Sequence, residues 1–292
     1  MPSTNASVPA WGRNPIILFI CVAIVTTLFL IERRNSTDTV SCEDASVLDE
    51  KLQIFYSNKS TDRQQLLGSY LNPKTASKNF GPFYNALVAE IVCPWLVRVG
   101  NVNDGGKWTC NPWALPENCV IYSLGVGPDI TFELEISKVA QERCKIYSFD
   151  PDAKKGQRLV NLNSEQFTFT PLRIAAKTDE ALRQKTVPDI MKQFSHSFID
   201  FFKIDIEGAE IGLLPALLGD RNKPVACQIF IEMHGTPHQC AVLHSQLGKA
   251  GYFMFFYELN GYQPKLSEYS FMHESCFDQY GITNVLSRNF PE

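Results

Sequence analysis

Five short apolar runs spaced along the chain from Cys119 onward limit its fold more than any other feature: Val120–Leu124, Lys145–Phe149, Phe167–Phe169, Phe198–Ile204 and Gln228–Glu232. Each has the length of a strand, and the segments between them are helix-like. Between the first two, Phe132, Ile136, Val139 and Ala140 recur at i, i+4, i+7 and i+8, which is one face of a helix. Strand–helix–strand alternation calls for right-handed crossovers and a mainly parallel sheet. Two further runs, Tyr252–Tyr257 and Glu268–Met272, are separated only by a loop containing Gly and Pro. With no helix between them they close as an antiparallel hairpin. The expected fold class is therefore α/β, doubly wound, with helices on both faces of the sheet and an antiparallel last strand.

The 292 residues suffice for one such domain plus a short membrane segment and a linker. Net charge is −4 and no basic run exceeds two residues, so no stripe exists that could track a phosphate backbone. Nucleic acid is excluded as the expected partner, and a small or neutral acceptor fits better.

Residues Pro15 to Ile31 form the only long uncharged apolar run. As a helix it spans about 26 Å, slightly short of a hydrocarbon core of about 30 Å. A cleaved signal peptide is the other reading, but Leu30-Ile31-Glu32-Arg33-Arg34 lacks a small-x-small cleavage site. The expected order is a short cytoplasmic tail (1–14), a transmembrane anchor (15–31), a polar stem (32–62), an accessory helical region (63–119) and the α/β domain (120–292). Arg13 lies on one side of the run and Arg33 and Arg34 on the other, so charge gives no firm orientation. Eight of the nine cysteines lie beyond the run, an even set compatible with an oxidising lumen and equally with free thiols. Asn58-Lys59-Ser60 is a glycosylation acceptor, and Asn35-Ser36-Thr37 is a second one close to the membrane run. Together these features favour a single-pass type II protein of the Golgi or endoplasmic reticulum with a lumenal domain.

In an open parallel sheet, ligands bind outside the carboxyl ends of the strands. After the first run comes Gly125-Val126-Gly127-Pro128-Asp129, where two glycines allow a tight turn and close approach to the main chain. Asp129 is placed to cap the next helix. Asp150, followed by Pro151, ends the second run 25 residues beyond Gly125, where a carboxylate can accept both hydrogen bonds of a ribose diol. After the fourth run, alternation sets Lys203, Asp205 and Glu207 on one side. Glu207 and Glu210 also suit a helix start, and Lys203 an ion pair with a nearby acid. Glu232-Met233-His234 adds a carboxylate and an imidazole at the same mouth.

Tyr122-Ser123-Leu124-Gly125-Val126-Gly127, Ser148-Phe149-Asp150-Pro151 and above all Phe202-Lys203-Ile204-Asp205-Ile206-Glu207-Gly208-Ala209-Glu210 resemble the FkbM-type methyltransferases. Asp104-Gly105-Gly106-Lys107-Trp108-Thr109-Cys110, followed by Cys119, resembles the metazoan, nematode-expanded, methyltransferase-like branch of that superfamily. The resemblance covers about Cys93 to Met272. It implies a seven-stranded Rossmann-like sheet binding S-adenosylmethionine, with Gly125 and Gly127 against methionine and ribose, Asp150 on the ribose hydroxyls and Asp205 near the sulfonium. The turn departs from G-x-G-x-x-G, because Pro128-Asp129-Ile130 follows Gly127.

The activity expected is O-methylation of a glycan hydroxyl in the secretory lumen. His234 is the first choice of base, with Glu232 or Asp205 orienting it, and Glu207 stands beside them as a further candidate catalytic residue. A divalent metal on Asp205, Glu232 and His234 is compatible with those side chains, and spacing alone does not decide it. A Cys110–Cys119 bridge is one way to staple the loop into the first strand. Two other readings stand beside this one. A type II glycosyltransferase would use Asp150-Pro151-Asp152 as a DxD pair. A non-catalytic binding module would keep only the fold.

Overall fold

The computed structural model describes residues 42–162 and 164–291. The tail, the anchor run and the first part of the stem lie outside the described residues. Among the described residues no helix is long and apolar enough to cross a membrane. The described residues divide into two units, one ending at Glu50 and the other beginning at Lys51.

Helix α1 spans Cys42–Gly68 and takes up the described part of the expected polar stem. No Gly or Pro interrupts the sequence from Cys42 to Leu67, and its Leu, Gln, Lys and Glu residues are good helix formers. Polarity alone had suggested a linker there, and it does not distinguish a linker from an exposed helix. The accessory region is only partly helical. Helix α2 (Phe80–Ala86) ends, and Leu96–Val99 (β1) pairs antiparallel with Lys107–Cys110 (β2) as a hairpin. Pro94, Gly100, Gly105 and Gly106 break the helical pattern that Phe83 to Ile91 carries. At Gly100 φ is +92°, and an added Cβ would lie 2.9 Å from the Phe132 backbone.

The main sheet contains β3 (Val120–Leu124), β4 (Lys145–Asp150), β5 (Phe167–Pro171), β8 (Ile199–Ile204), β9 (Ala226–Met233), β10 (Tyr252–Leu259) and β11 (Ser267–His273). A separate two-stranded pair, β6 (Arg173–Ile174) and β7 (Gln184–Lys185), follows β5. Strand order in the seven-stranded sheet is β10-β11-β9-β8-β3-β4-β5. Only β11 runs against its neighbours. The expected Rossmann-like sheet, mainly parallel with a reversed last strand, is what the chain forms.

Side chains alternate between two apolar layers. Phe202, Ile229 and Ile231 pack with the helices Val187–Gln193, Glu210–Leu217 and Pro237–Lys249. Phe201, Phe230 and Met272 pack with Thr131–Val139 and the segment Cys276–Ile282. Covered on both faces, β8 and β9 are buried along their whole lengths, which explains why they read as unbroken apolar runs.

Among the described residues three disulfides join Cys93 to Cys110, Cys119 to Cys144 and Cys227 to Cys276, and Cys240 is a buried free thiol. The Cys110–Cys119 bridge is therefore corrected: Cys110 fastens the hairpin to the chain before β1, and Cys119 ties the start of β3 to that of β4. Replacing Cys227 and Cys276 by serine is expected to cost about 2–5 kcal/mol, read from the urea midpoint of unfolding.

Candidate functional site

Strands β3, β4, β5, β8 and β9 run parallel, so their carboxyl ends open on one edge. A cleft of about 580 Å³ lies there, within the size range of small-molecule sites. The turn after β3 forms its floor. Gly125 has φ +76°, and a Cβ there would lie 1.6 Å from the Asp205 carbonyl oxygen, so no other residue fits. Gly127 also lines the cleft, and a Cβ on it would meet nothing nearer than the Asp129 nitrogen at 3.9 Å. The main chain is thus bare at Gly127, while Gly125 is packed against the Asp205 backbone. Val126 between them is buried against Ile130 and Leu159, so its contribution is through the backbone.

Asp129 lines the cleft and accepts from the Thr131 amide at 2.8 Å and from Asn101 Nδ2 at 2.9 Å. Burial would raise its carboxyl, but those hydrogen bonds outweigh it and hold it below the usual range. Asp150 and Pro151 line the opposite wall. The Asp150 carboxylate is buried at the end of β4, accepting from the Asp152 amide at 2.8 Å and facing Lys155 Nζ at 3.4 Å. The turn Asp150-Pro151-Asp152 is locked onto itself, and Asp152 in turn accepts from the Lys154 amide at 2.9 Å. This is no paired set of outward carboxylates.

The deep end is acidic. Asp205 follows β8, anchored by its amide to the Leu124 carbonyl at 3.0 Å. Glu207 takes a left-handed backbone (φ +55°) before Gly208 (φ +99°), which turns the chain into the helix Glu210–Leu217. Glu210, fully buried, accepts from the Gly208 amide at 2.9 Å on one oxygen and from the His234 amide at 2.7 Å on the other. That second oxygen also faces His234 Nδ1 at 3.2 Å. His234 Nε2 points to Glu207 at 3.4 Å and Glu232 at 3.7 Å. The bond to Glu210, against the effect of burial, pushes the imidazole up to about 9. The ring is thus held by acids on both of its nitrogens.

Glu232 ends β9 opposite Glu268 of β11, and its Oε1 accepts from Asn260 Nδ2 at 3.1 Å. Burial first, then Glu268 and Asp205, push its carboxyl up to about 7. Lys107 enters from the hairpin, fully buried, paired with Glu268 and 3.8 Å from Asp205. Burial would lower this ammonium, but Glu268 and Asp205 raise it. The same partnership works on Asp205. Burial would raise that acid, and Lys107 and Lys203 bring it below the usual range.

Every predicted site residue thus lies on one edge of the sheet. Five neighbours were left out of that prediction: Lys107, Lys203, Glu210, Asn260 and Glu268. Lys203, whose Nζ donates to the Gly125 carbonyl at 3.2 Å, carried a signal in its alternation with Asp205. Glu210 carried one in the motif Lys203–Glu210. Lys107 sits in the Asp104–Cys110 stretch that carries part of the family resemblance, but nothing there ties it to the site, and Asn260 and Glu268 come from outside the strand–loop–helix units.

A family model described as "Methyltransferase domain" matches residues 45–273. The human "Probable methyltransferase-like protein 24" is 30% identical over 127 residues, 40% of this chain and 33% of its own length. The rat protein of that name is 28% identical over 123 residues, 40% of this chain and 33% of its own length. The chain thus matches about a third of the length of these curated relatives. Among solved structures, the methyltransferase FkbM of Methylobacillus flagellatus is similar with TM-score 0.41 and 14% identity, over 53% of this chain and 43% of that one. TrmK of M. capricolum, solved with S-adenosyl-homocysteine, is similar with TM-score 0.38 and 13% identity, over 56% of this chain and 67% of that one.

Proposed function

The chain belongs to the family described as "Methyltransferase domain", and from that premise we propose that it transfers the methyl group of S-adenosylmethionine to a hydroxyl of a glycan within the secretory lumen. The observation that carries the methyl-transfer reading is a single cleft with a bare glycine turn and Asp150 on its walls and with Asp205 and Glu232 at its deep end. The residues present fit the cofactor. Gly127 leaves room against the main chain, Gly125 lets the turn close on the Asp205 backbone, and Asp150 offers a carboxylate to a ribose diol. S-adenosylmethionine, when bound, supplies an electrophilic methyl group carried on a sulfonium.

The chain's own groups do the rest. Asp205 contributes negative charge at the cationic end of the donor, while Lys203 and the Leu124 carbonyl hold the two sides of the turn in register. A hydroxyl becomes nucleophilic only as its proton leaves. Glu232 is placed to take that proton on Oε2, since Asn260 occupies Oε1. His234, flanked by three carboxylates, orients them instead of acting as base.

Location and acceptor belong to the same proposal. Three disulfides suit an oxidising compartment. Asn58 is exposed on α1, where an attached glycan has room. An anchor at 15–31 with the domain lumenal supplies glycan acceptors at the cleft. The glycosyltransferase reading loses support, because Asp150 lines the cleft without Asp152, whose carboxylate accepts from the Lys154 amide.

Asp150→Ala tests the donor assignment. S-adenosylmethionine affinity is expected to fall about 10-fold or more with the fold intact, as for loss of a hydrogen bond to a charged group. Unchanged affinity in calorimetry contradicts the ribose role.

A further inference from the structure

We propose that Asp205, Glu207 and His234 bind a divalent cation of the manganese kind at the acceptor end of the cleft, beside Glu232. One ligand atom from each of these three residues lies within 4.8 Å of the others, so one ion can reach all of them. His234 is arranged as metal-binding histidines are. Its Nδ1 faces the fully buried Glu210 at 3.2 Å, and its Nε2 is turned to the open side, toward Glu207 and Glu232. Glu210 itself is fixed by the Gly208 and His234 amides.

A neighbouring acid that shares Asp205 with a second such group, Asp205, Glu232 and Glu268, is also short of partners. Glu268 is 9% exposed, and its Oε2 has no hydrogen-bond partner. This carboxylate reaches within 4.8 Å of Asp205 and Glu232. Lys107 serves its other oxygen and stands 3.8 Å from one oxygen of Asp205. Lys203 is turned to the Gly125 carbonyl. Five carboxylates (Asp205, Glu207, Glu210, Glu232 and Glu268) therefore share two lysines and one imidazole.

Two carboxylates and one imidazole, with open positions facing the cleft, suit a borderline-to-hard ion such as Mn²⁺. In the methyl-transfer reading, on which this role alone rests, the acceptor hydroxyl takes an open position. There the ion lowers the hydroxyl's pKa. The proton passes to Glu232, the oxygen–methyl bond forms, and the carbon–sulfur pair returns to sulfur.

The test uses the purified full chain, stripped with chelator and titrated with MnCl₂. Bound ion is read from loss of the free-ion paramagnetic resonance signal, and S-adenosylmethionine is titrated calorimetrically on the same preparations. One equivalent of Mn²⁺ is expected. Its affinity should fall at least 10-fold in His234→Ala and in Glu207→Gln, and about 10–100-fold in Glu210→Gln. The Glu207 side chain is 85% exposed, so its variant is not expected to disturb folding. No stoichiometric Mn²⁺, or binding unchanged in Glu207→Gln and His234→Ala, overturns the site. Mn²⁺ binding without S-adenosylmethionine binding leaves the ion site standing and removes the methyl-transfer reading. The reverse pattern removes the ion site alone.

Discussion

Glu232→Gln is expected to bind S-adenosylmethionine like the parent while methyl transfer falls about 10²–10⁴-fold, the range for removing a positioned proton acceptor. The substitution keeps the shape and leaves the Asn260 contact available to the amide oxygen. It removes the oxygen that faces the cleft and His234. Loss of turnover with donor affinity kept separates a proton-transfer role from a packing role, because a packing defect lowers the unfolding midpoint as well. A variant that turns over normally takes Glu232 out of the mechanism.

Gly125→Ala should be the most damaging single change to the donor wall. The added methyl would sit 1.6 Å from the Asp205 carbonyl oxygen, at a backbone φ of +76°. Left-handed strain and overpacking each cost about 1–3 kcal/mol. A loss of about 2–5 kcal/mol in stability is expected, with no measurable donor binding in what remains folded. Gly127→Ala is the informative partner, since its Cβ meets only the Asp129 nitrogen at 3.9 Å. Stability should be nearly unchanged there, and any loss of donor affinity reports the ligand's approach to the main chain.

These contrasts show which parts of the molecule could be read from its residues. The strands were legible because burial on both faces turns β8 and β9 into continuous apolar runs, and alternation sets Lys203 and Asp205 on one side. The glycine turn was legible because Gly125 answers a steric demand made by β8, which lies next to β3. The hairpin was not. Val97 and Val99 favour a strand, but β1 and β2 are four residues each, too short to show a period. Lys107 was hidden for the same reason, and it reaches the site only because the hairpin folds over the sheet edge. Disulfide pairing was equally hidden, since Cys119 and Cys144 are 25 residues apart and meet only when β3 and β4 align. The role of His234 depended on Glu210, a residue that sequence reading assigned to a helix start. One buried carboxylate against Nδ1 is the contact on which the proposed ion-binding role of this imidazole rests.

The central claim is that this cleft holds a methyl donor, and calorimetry on the purified full chain tests it most directly. S-adenosylmethionine should bind with one equivalent per chain, S-adenosyl-homocysteine should compete with it, and a nucleotide sugar such as UDP-galactose should give no heat. Binding of the nucleotide sugar with none of S-adenosylmethionine would contradict the account.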